Sequence, residues 1–364
     1  MARKLKSDRI LFTAAVLLVC VSVVMVYSAS AALAFDRFGQ AYMFLTRQAL
    51  WTLLGLVGLA VAMRIDYRSY RNEAFIWSLA GVVGVFLVLV LFREPVNGAR
   101  RWLNLGGLGI QPSELAKVAA VLFTALTLER RMHRIDELRY SLLPIAIVVG
   151  AMSGLILLQP DMGTAVSLLL VVGTMVFAAG LNYRYIVGAA LAAVPVLYFV
   201  IISAPYRQRR LLAFWDPWAD PLGEGFQLIQ SLIAVSTGGV FGRGLMGGVQ
   251  KLFFLPEPHT DFIYAVISEE LGLAGATTVL ICYCVIAWRG VRIAMRAQDA
   301  FGSFLALGLT TMISVQALVN ISVVLGLLPT KGIPLPLVSS GGSSLLISLV
   351  GVGMLLNVSQ HEAT

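Results

Sequence analysis

Ten apolar runs divide the chain, at residues 10–31, 48–63, 74–92, 112–128, 142–159, 162–180, 185–204, 262–288, 302–328 and 336–357. Runs of roughly 18 residues or more recur along its whole length, and a run of that length crosses a bilayer as an α-helix. The runs are continuously apolar. A membrane β-barrel would alternate polar and apolar positions every second residue, so that architecture is excluded. The pattern predicts an all-α polytopic membrane protein with about ten transmembrane helices, as one domain over residues 1–364. No soluble domain, low-complexity tail or fixed-period repeat interrupts it. The first run follows Arg3, Lys4, Lys6 and Arg9 and ends in SASAALA, which resembles a signal-peptide cleavage site. At about 18 residues it exceeds a usual signal h-region, so it is read as a retained first span.

Charge then orients the spans. With the N-terminus inside, the inner segments hold Arg3, Lys4, Lys6, Arg9, Arg64, Arg68, Arg71, Arg130, Arg131, Arg134, Arg139, Arg184, Arg289, Arg292 and Arg296. That is the expected cytoplasmic bias, and it puts both termini in the cytoplasm. The net charge of +8 thus follows from location and calls for no nucleic-acid partner. Composition agrees: 59% of residues are hydrophobic and 13% charged, against about 25% charged in a soluble domain. Cys20, Cys282 and Cys284 lie in apolar runs and read as small hydrophobes. His133, His259 and His361 are too scattered for a zinc centre.

Some cations defy the bias. Arg93, Arg100, Arg101, Lys117, Arg207, Arg209, Arg210, Arg243 and Lys251 fall in or beside two outer regions, 93–117 and 205–261. An outward cationic surface suits a phosphate or pyrophosphate on a lipid, or else anionic headgroups. The 205–261 connection, between spans seven and eight, is long enough to be functional. It contains FWDPW and then a segment, 226–235, whose apolar residues 226, 229, 232 and 233 oppose Gln227, Gln230 and Ser231. That predicts an amphipathic helix on the outer membrane surface. GGVFGRGLMGG follows, around Arg243. It lacks the Lys-Ser/Thr ending of a nucleotide P-loop. A flexible joint is expected there, with a backbone anion nest as the alternative.

Four polar clusters face outward. In GARRWLNLGGLGIQPSELAK, 98–117, Pro112 suits the first helical position, and Glu114 and Lys117 share a helical face as a structural ion pair or a functional one. In LLQPDMGTA, 157–165, Asp161 is expected to cap the next helix. In LPEPHTDFIYAVISEELG, 255–272, Thr260 or Asp261 opens an apolar helix, either as its cap or as a general base. Burial and Glu257 would raise the Asp261 carboxyl; a helix N-terminus and cations would lower it. Glu269 and Glu270 lie deeper, with at least one expected to face the bundle interior. In LLPTKGIPLPLVSSGGSSLL, 327–346, Lys331 sits on an outer turn, for phosphate or headgroup, among prolines and glycines that break the helices. Broken helices at membrane depth line a cavity or pack in protein.

Together with FWDPWADPLGEGFQLIQSLIA, these clusters resemble the SEDS (shape, elongation, division and sporulation) family, the FtsW/RodA/SpoVE group, in family order over nearly the whole chain. VVMVYSASA and the Lys331 of LLPTKG are closer to its division branch than to its elongation branch. The resemblance implies an inverting glycosyltransferase that polymerises lipid II into β-1,4 glycan at the outer face of the bacterial cytoplasmic membrane, at the septum. It implies Asp261 as the catalytic base and Glu114, Lys117, Asp161 and Lys331 as substrate-binding residues. Arg101, Arg207, Arg210, Arg243 and Lys331 are candidates to stabilise the departing pyrophosphate. A divalent cation, Mg or Mn, could assist, but the sequence offers no convincing ligand set. Implied partners are a class B penicillin-binding transpeptidase and other division proteins. Two positions depart from the family pattern: Phe253, often acidic in division proteins, and Ser340, often tyrosine. A lipid II flippase and a non-catalytic division scaffold are the rival readings.

Overall fold

The structure, a computed structural model, describes residues 7–95, 99–105, 108–203 and 205–362. Arg3, Lys4, Lys6, Gly98, Gly106, Gly107 and Ala204, all part of the segments above, lie outside the described residues. In chain order the helices are α1 (Arg9–Phe38), α2 (Met43–Arg64), α3 (Glu73–Leu91), α4 (Pro112–Arg131), α5 (Leu138–Leu158), α6 (Met162–Ala178), α7 (Tyr183–Ile202), α8 (Pro205–Trp215), α9 (Phe226–Thr237), α10 (Ile263–Arg296), α11 (Ala300–Val324) and α12 (Ser343–Gln360). A two-stranded hairpin, β1 (Leu103–Leu105) and β2 (Leu108–Ile110), precedes α4, with Leu103 opposite Ile110.

Each of the ten apolar runs forms a helix, and the protein is a multi-pass membrane protein. Among the described residues, seven helices (α1, α2, α3, α5, α10, α11 and α12) are long and apolar enough to cross a bilayer. α6 is shorter, at 17 residues. α4 has 20 residues but carries Glu114, Lys117, Glu129, Arg130 and Arg131. Its polarity is tolerated because it is the central helix. It packs against α3, α5, α6 and α11, and almost all of Pro112–Leu128 is buried. A helix with no lipid-facing side can hold a charge pair that a peripheral helix could not. α7 is the opposite case: it packs on α6 and α8, and none of its described side chains is buried.

One end of the bundle is basic. Asp8 caps α1 through Ile10 and Leu11, receives Arg289 and donates its own N–H to Ser359 Oγ. Ala297 bridges Glu362, and Asn357 accepts from the Tyr67 N–H. Arg71 pairs with Glu129 at 2.8 Å, and Arg130 with Glu73. The first and last helices therefore meet at the end that the positive-inside bias assigns to the cytoplasm.

Two sequence expectations change. In α9 the buried residues are Leu228, Ile229, Ser231 and Ala234, while Leu232 is exposed. Ser231, expected on the polar outer face, turns inward and donates to the Val324 carbonyl at 2.8 Å. That carbonyl ends α11 and has no intrahelical donor, so the hydroxyl decides which face of α9 docks. The glycine-rich stretch is not a joint either. α10 breaks at Gly272 (φ 64, ψ −164), and residues 239–244 fill the break. Arg243 and Gly244 donate main-chain N–H groups to Glu269 O and Glu270 O, and Leu273 and Ala274 donate to Gly239 O and Val240 O. So close an approach needs glycine: a Cβ on Gly242 would sit 2.1 Å from Glu270 O.

Candidate active site

At the end of the bundle opposite the basic one, three connections converge. The α5–α6 turn brings Asp161, the α11–α12 segment brings Lys331 and Gly332, and α8 brings Arg207 and Arg210. With Arg101, ahead of the hairpin, they line one pocket. Asp261 borders it at Gly332, where a methyl group would stand 2.9 Å from Asp261 Oδ2 and 3.7 Å from Arg101 Nη1. The pocket therefore places a carboxylate edge against an array of guanidinium and ammonium groups.

Each side chain is held for a local reason. Asp161 caps α6, accepting from the Thr164 N–H at 3.2 Å and the Thr164 hydroxyl at 2.8 Å. It also lies 3.7 Å from Arg101 Nε, while Arg101 Nη2 donates to the Pro160 carbonyl at 2.8 Å. Asp261 does not cap α10. The cap position belongs to Phe262, with no side-chain capping bond. The carboxylate is left facing the pocket rim.

The segment bearing Asp261 is fixed through its backbone. Asn320, on α11, donates to both the Asp261 carbonyl (2.8 Å) and the Ile333 carbonyl (2.7 Å). It thereby clamps the Asp261 loop to the strap that carries Lys331. Gln316, one turn earlier, donates to Pro334 O at 3.0 Å. Ser339 Oγ donates to Thr260 O at 2.5 Å, and the Ser340 N–H donates to His259 O at 2.9 Å. The Ser340 side chain takes no part in that last bond, so the departure at this position leaves the strap intact.

The electrostatics follow from burial. Asp261 is pushed up to about 7, first by desolvation and then by the charge of Glu257; Asp161 adds to this, and Arg101 and Arg210 oppose it. Desolvation also lowers Lys331, with Asp161 working against it. His259 is lowered by burial, so its ring is neutral near pH 7. A carboxyl near 7 is ionised enough to accept a proton and basic enough to hold it.

Four of the sequence candidates lie off the pocket lining: Asp261 borders it at Gly332, and Glu114, Lys117 and Arg243 stand apart from it. Glu114 and Lys117 pair at 2.9 Å in the core, with Lys117 donating to Gln316 at 2.5 Å and Ser344 donating to Glu114 at 3.1 Å. The pair thus buttresses Gln316 and, through it, the strap. Arg243 lies 3.7 Å from Glu269. Phe253 is exposed with φ 69. Sequence reasoning missed Asn320, Gln316 and Gly332. A polar residue in an otherwise apolar run was the available signal for the first two. Among the described residues no group of three or more His, Cys, Asp or Glu side chains is arranged to hold a metal.

Comparison with known proteins identifies the family. Residues 8–364 match the FtsW/RodA/SpoVE family of cell cycle proteins. The chain is 45% identical to a probable peptidoglycan glycosyltransferase FtsW of Geobacter sp. (strain M18), covering 97% of this chain and 96% of the relative. It is 42% identical to stage V sporulation protein E of Bacillus subtilis (strain 168), covering 99% of each. A chain solved in a peptidoglycan synthase complex, whose structure concerns the coordination of polymerization and crosslinking, superposes with a TM-score of 0.80 at 33% identity, covering 98% of each chain. A polytopic helical fold, a polar pocket at one end of the bundle and near full-length similarity lead to one conclusion: the chain belongs to the FtsW/RodA/SpoVE, or SEDS, family and stands with its FtsW-like members.

Proposed function

We propose that this glycosyltransferase polymerises lipid II at the outer face of the cytoplasmic membrane during division, with Asp261 as general base. The observation that carries the proposal is a carboxyl held at about 7 on the rim of a cationic pocket. In the proposed step Asp261 accepts the proton of the acceptor sugar 4-hydroxyl. The hydroxyl oxygen forms a bond to the donor anomeric carbon as the bond from that carbon to the pyrophosphate oxygen breaks. The anomeric centre inverts, and the electron pair leaves on the pyrophosphate. That leaving group needs no general acid; it needs positive charge. Arg101, Arg207, Arg210 and Lys331 line the pocket and supply it. A divalent cation, Mg or Mn, could assist by binding the substrate's own pyrophosphate oxygens; the steps assigned here to the chain's residues do not depend on it.

The lone-base assignment is tested with Asp261→Asn, which keeps size and polarity but cannot take the proton. Wild type and variant, each with the cognate transpeptidase, are supplied with lipid II in liposomes. Polymer from wild type and none from an equally folded variant is expected. Equal polymer from both would move the base elsewhere. Lipid II flipping without polymer would favour the transporter reading, and normal division by the variant would favour a scaffold.

A further inference from the structure

Glu269 and Glu270 are fully buried, and the mechanism above does not use them. Glu270 accepts from Lys251 Nζ at 2.5 Å, from Ser28 Oγ at 2.7 Å and from the Met246 N–H at 3.0 Å. Lys251 Nζ also reaches Ser28 Oγ at 2.9 Å. Glu269 accepts from the Val249 N–H at 2.8 Å and the Gln250 N–H at 3.2 Å. Backbone N–H groups in and just after the glycine-rich loop, at Met246, Val249 and Gln250, do meet anions, and those anions are the chain's own Glu269 and Glu270. The cluster joins three elements: α1 through Ser28, the loop through 243–251, and the first part of α10.

That first part is short. Ile263 to Leu271 ends at Gly272, where the helical hydrogen-bond ladder stops. It carries Asp261 just ahead of its outer end and both glutamates at its inner end, roughly 13 Å apart at 1.5 Å per residue. A helix fragment hinged on a glycine can tilt unless something holds it, and a small tilt moves its far end by ångströms. The segment from Lys251 to Asp261 is held at its far end by Asn320 and at its near end by the Lys251–Glu270 pair.

We infer that the Lys251–Glu270–Ser28 cluster is a positioning latch: it locks the half-helix 263–271 and the 251–261 segment so that Asp261 stays registered against the pocket. The inference rests on the proposed role of Asp261 for its catalytic consequence, but the immobilisation itself does not. The latch acts through Asp261 and touches no substrate.

The test removes both charges together, because deleting one partner leaves the other buried and unpaired. Lys251→Met combined with Glu270→Gln is purified with the cognate transpeptidase. Amide exchange at residues 255–262 and polymerisation of lipid II are both measured. The expected result is at least tenfold faster exchange at 255–262 and at least a tenfold lower kcat, with KM within twofold. Exchange and kcat both within twofold of wild type would overturn the latch. If the double variant does not fold, Ser28→Ala removes one donor and keeps the ion pair. A threefold change of exchange and kcat in the same directions is then expected, and no change in either overturns the proposal. The pair is also inverted, as Lys251→Glu with Glu270→Lys; recovery of kcat relative to either single change supports pairing over bulk packing. Should Asp261→Asn remain active while the latch variants exchange faster, the base assignment fails and the latch stands.

Discussion

Moving the pH from 6 to 8 is the cleanest perturbation of the site. With Asp261 at about 7, about a tenth of the carboxyl is ionised at pH 6 and about nine-tenths at pH 8, so kcat/KM should rise roughly tenfold over that interval. An aspartate at its ordinary 3.8 would be ionised throughout and give a flat profile. Bound pyrophosphate adds negative charge beside Asp261, so the rising limb of kcat should lie above that of kcat/KM. The assay is the initial rate of glycan formation from lipid II in liposomes at constant ionic strength. A rate that varies less than twofold between pH 6 and 8 would refute the reasoning. The same shift bears on stability. A carboxyl raised by folding holds its proton better folded than unfolded, so its contribution is fully present below about pH 4, is lost between about pH 4 and 7, and is flat above. The loss amounts to at most about 4 kcal/mol. Asp261→Asn carries no such charge and should melt above wild type at pH 8 and level with it near pH 4.

Asn320→Leu removes two donors from the Asp261 and Ile333 carbonyls. At about 1 kcal/mol each, kcat/KM should fall roughly 10- to 100-fold in the lipid II assay. Gly332→Ala puts a methyl 2.9 Å from Asp261 Oδ2, and should cut turnover at least about tenfold while leaving the melting temperature nearly unchanged, because the residue is exposed. Lys117→Met strands the buried Glu114 at a cost of roughly 3–5 kcal/mol; adding Glu114→Gln should restore most of the lost thermal stability.

Much of the fold was legible because a bilayer demands a long apolar run of most helices that cross it, a demand that α4 escapes by being buried in the bundle. Each of the ten runs became a helix, with ends that differ from the expected ones by up to eight residues, as at Arg296 and Ser343, and the arginines expected on one side do gather at one end of the bundle. Asp161 was legible as a cap because Gln-Pro-Asp-x-Gly leaves an aspartate oxygen near a free helix N–H. Asp261 was not legible in the same way. A carboxylate two residues before an apolar helix looks like its cap, and only the three-dimensional path shows the chain turning past that position to leave Phe262 there. The glycine-rich stretch was misjudged for a related reason. Glycine signals freedom in an isolated chain and close approach in a packed one, and local sequence does not distinguish them. Asn320 and Ser231 act through carbonyls distant in sequence, which no local pattern encodes.

The break at Gly272 also works as a depth gauge. From Gly272 to Arg289, the first charge on the inner side, the helix rises about 25 Å, close to the ~30 Å thickness of the hydrocarbon. In the proposed orientation, everything beyond the break stands near or above the outer edge of the acyl chains. Asp261, no more than about 16 Å further along the helix direction, comes level with the lipid headgroups. A sugar tethered to a lipid by pyrophosphate can meet that carboxylate without its tail leaving the leaflet. On the proposed mechanism the length of the inner piece of α10 is then a ruler that matches one protein to one bilayer: in a thicker membrane the carboxylate would sink below the phosphates of its substrate.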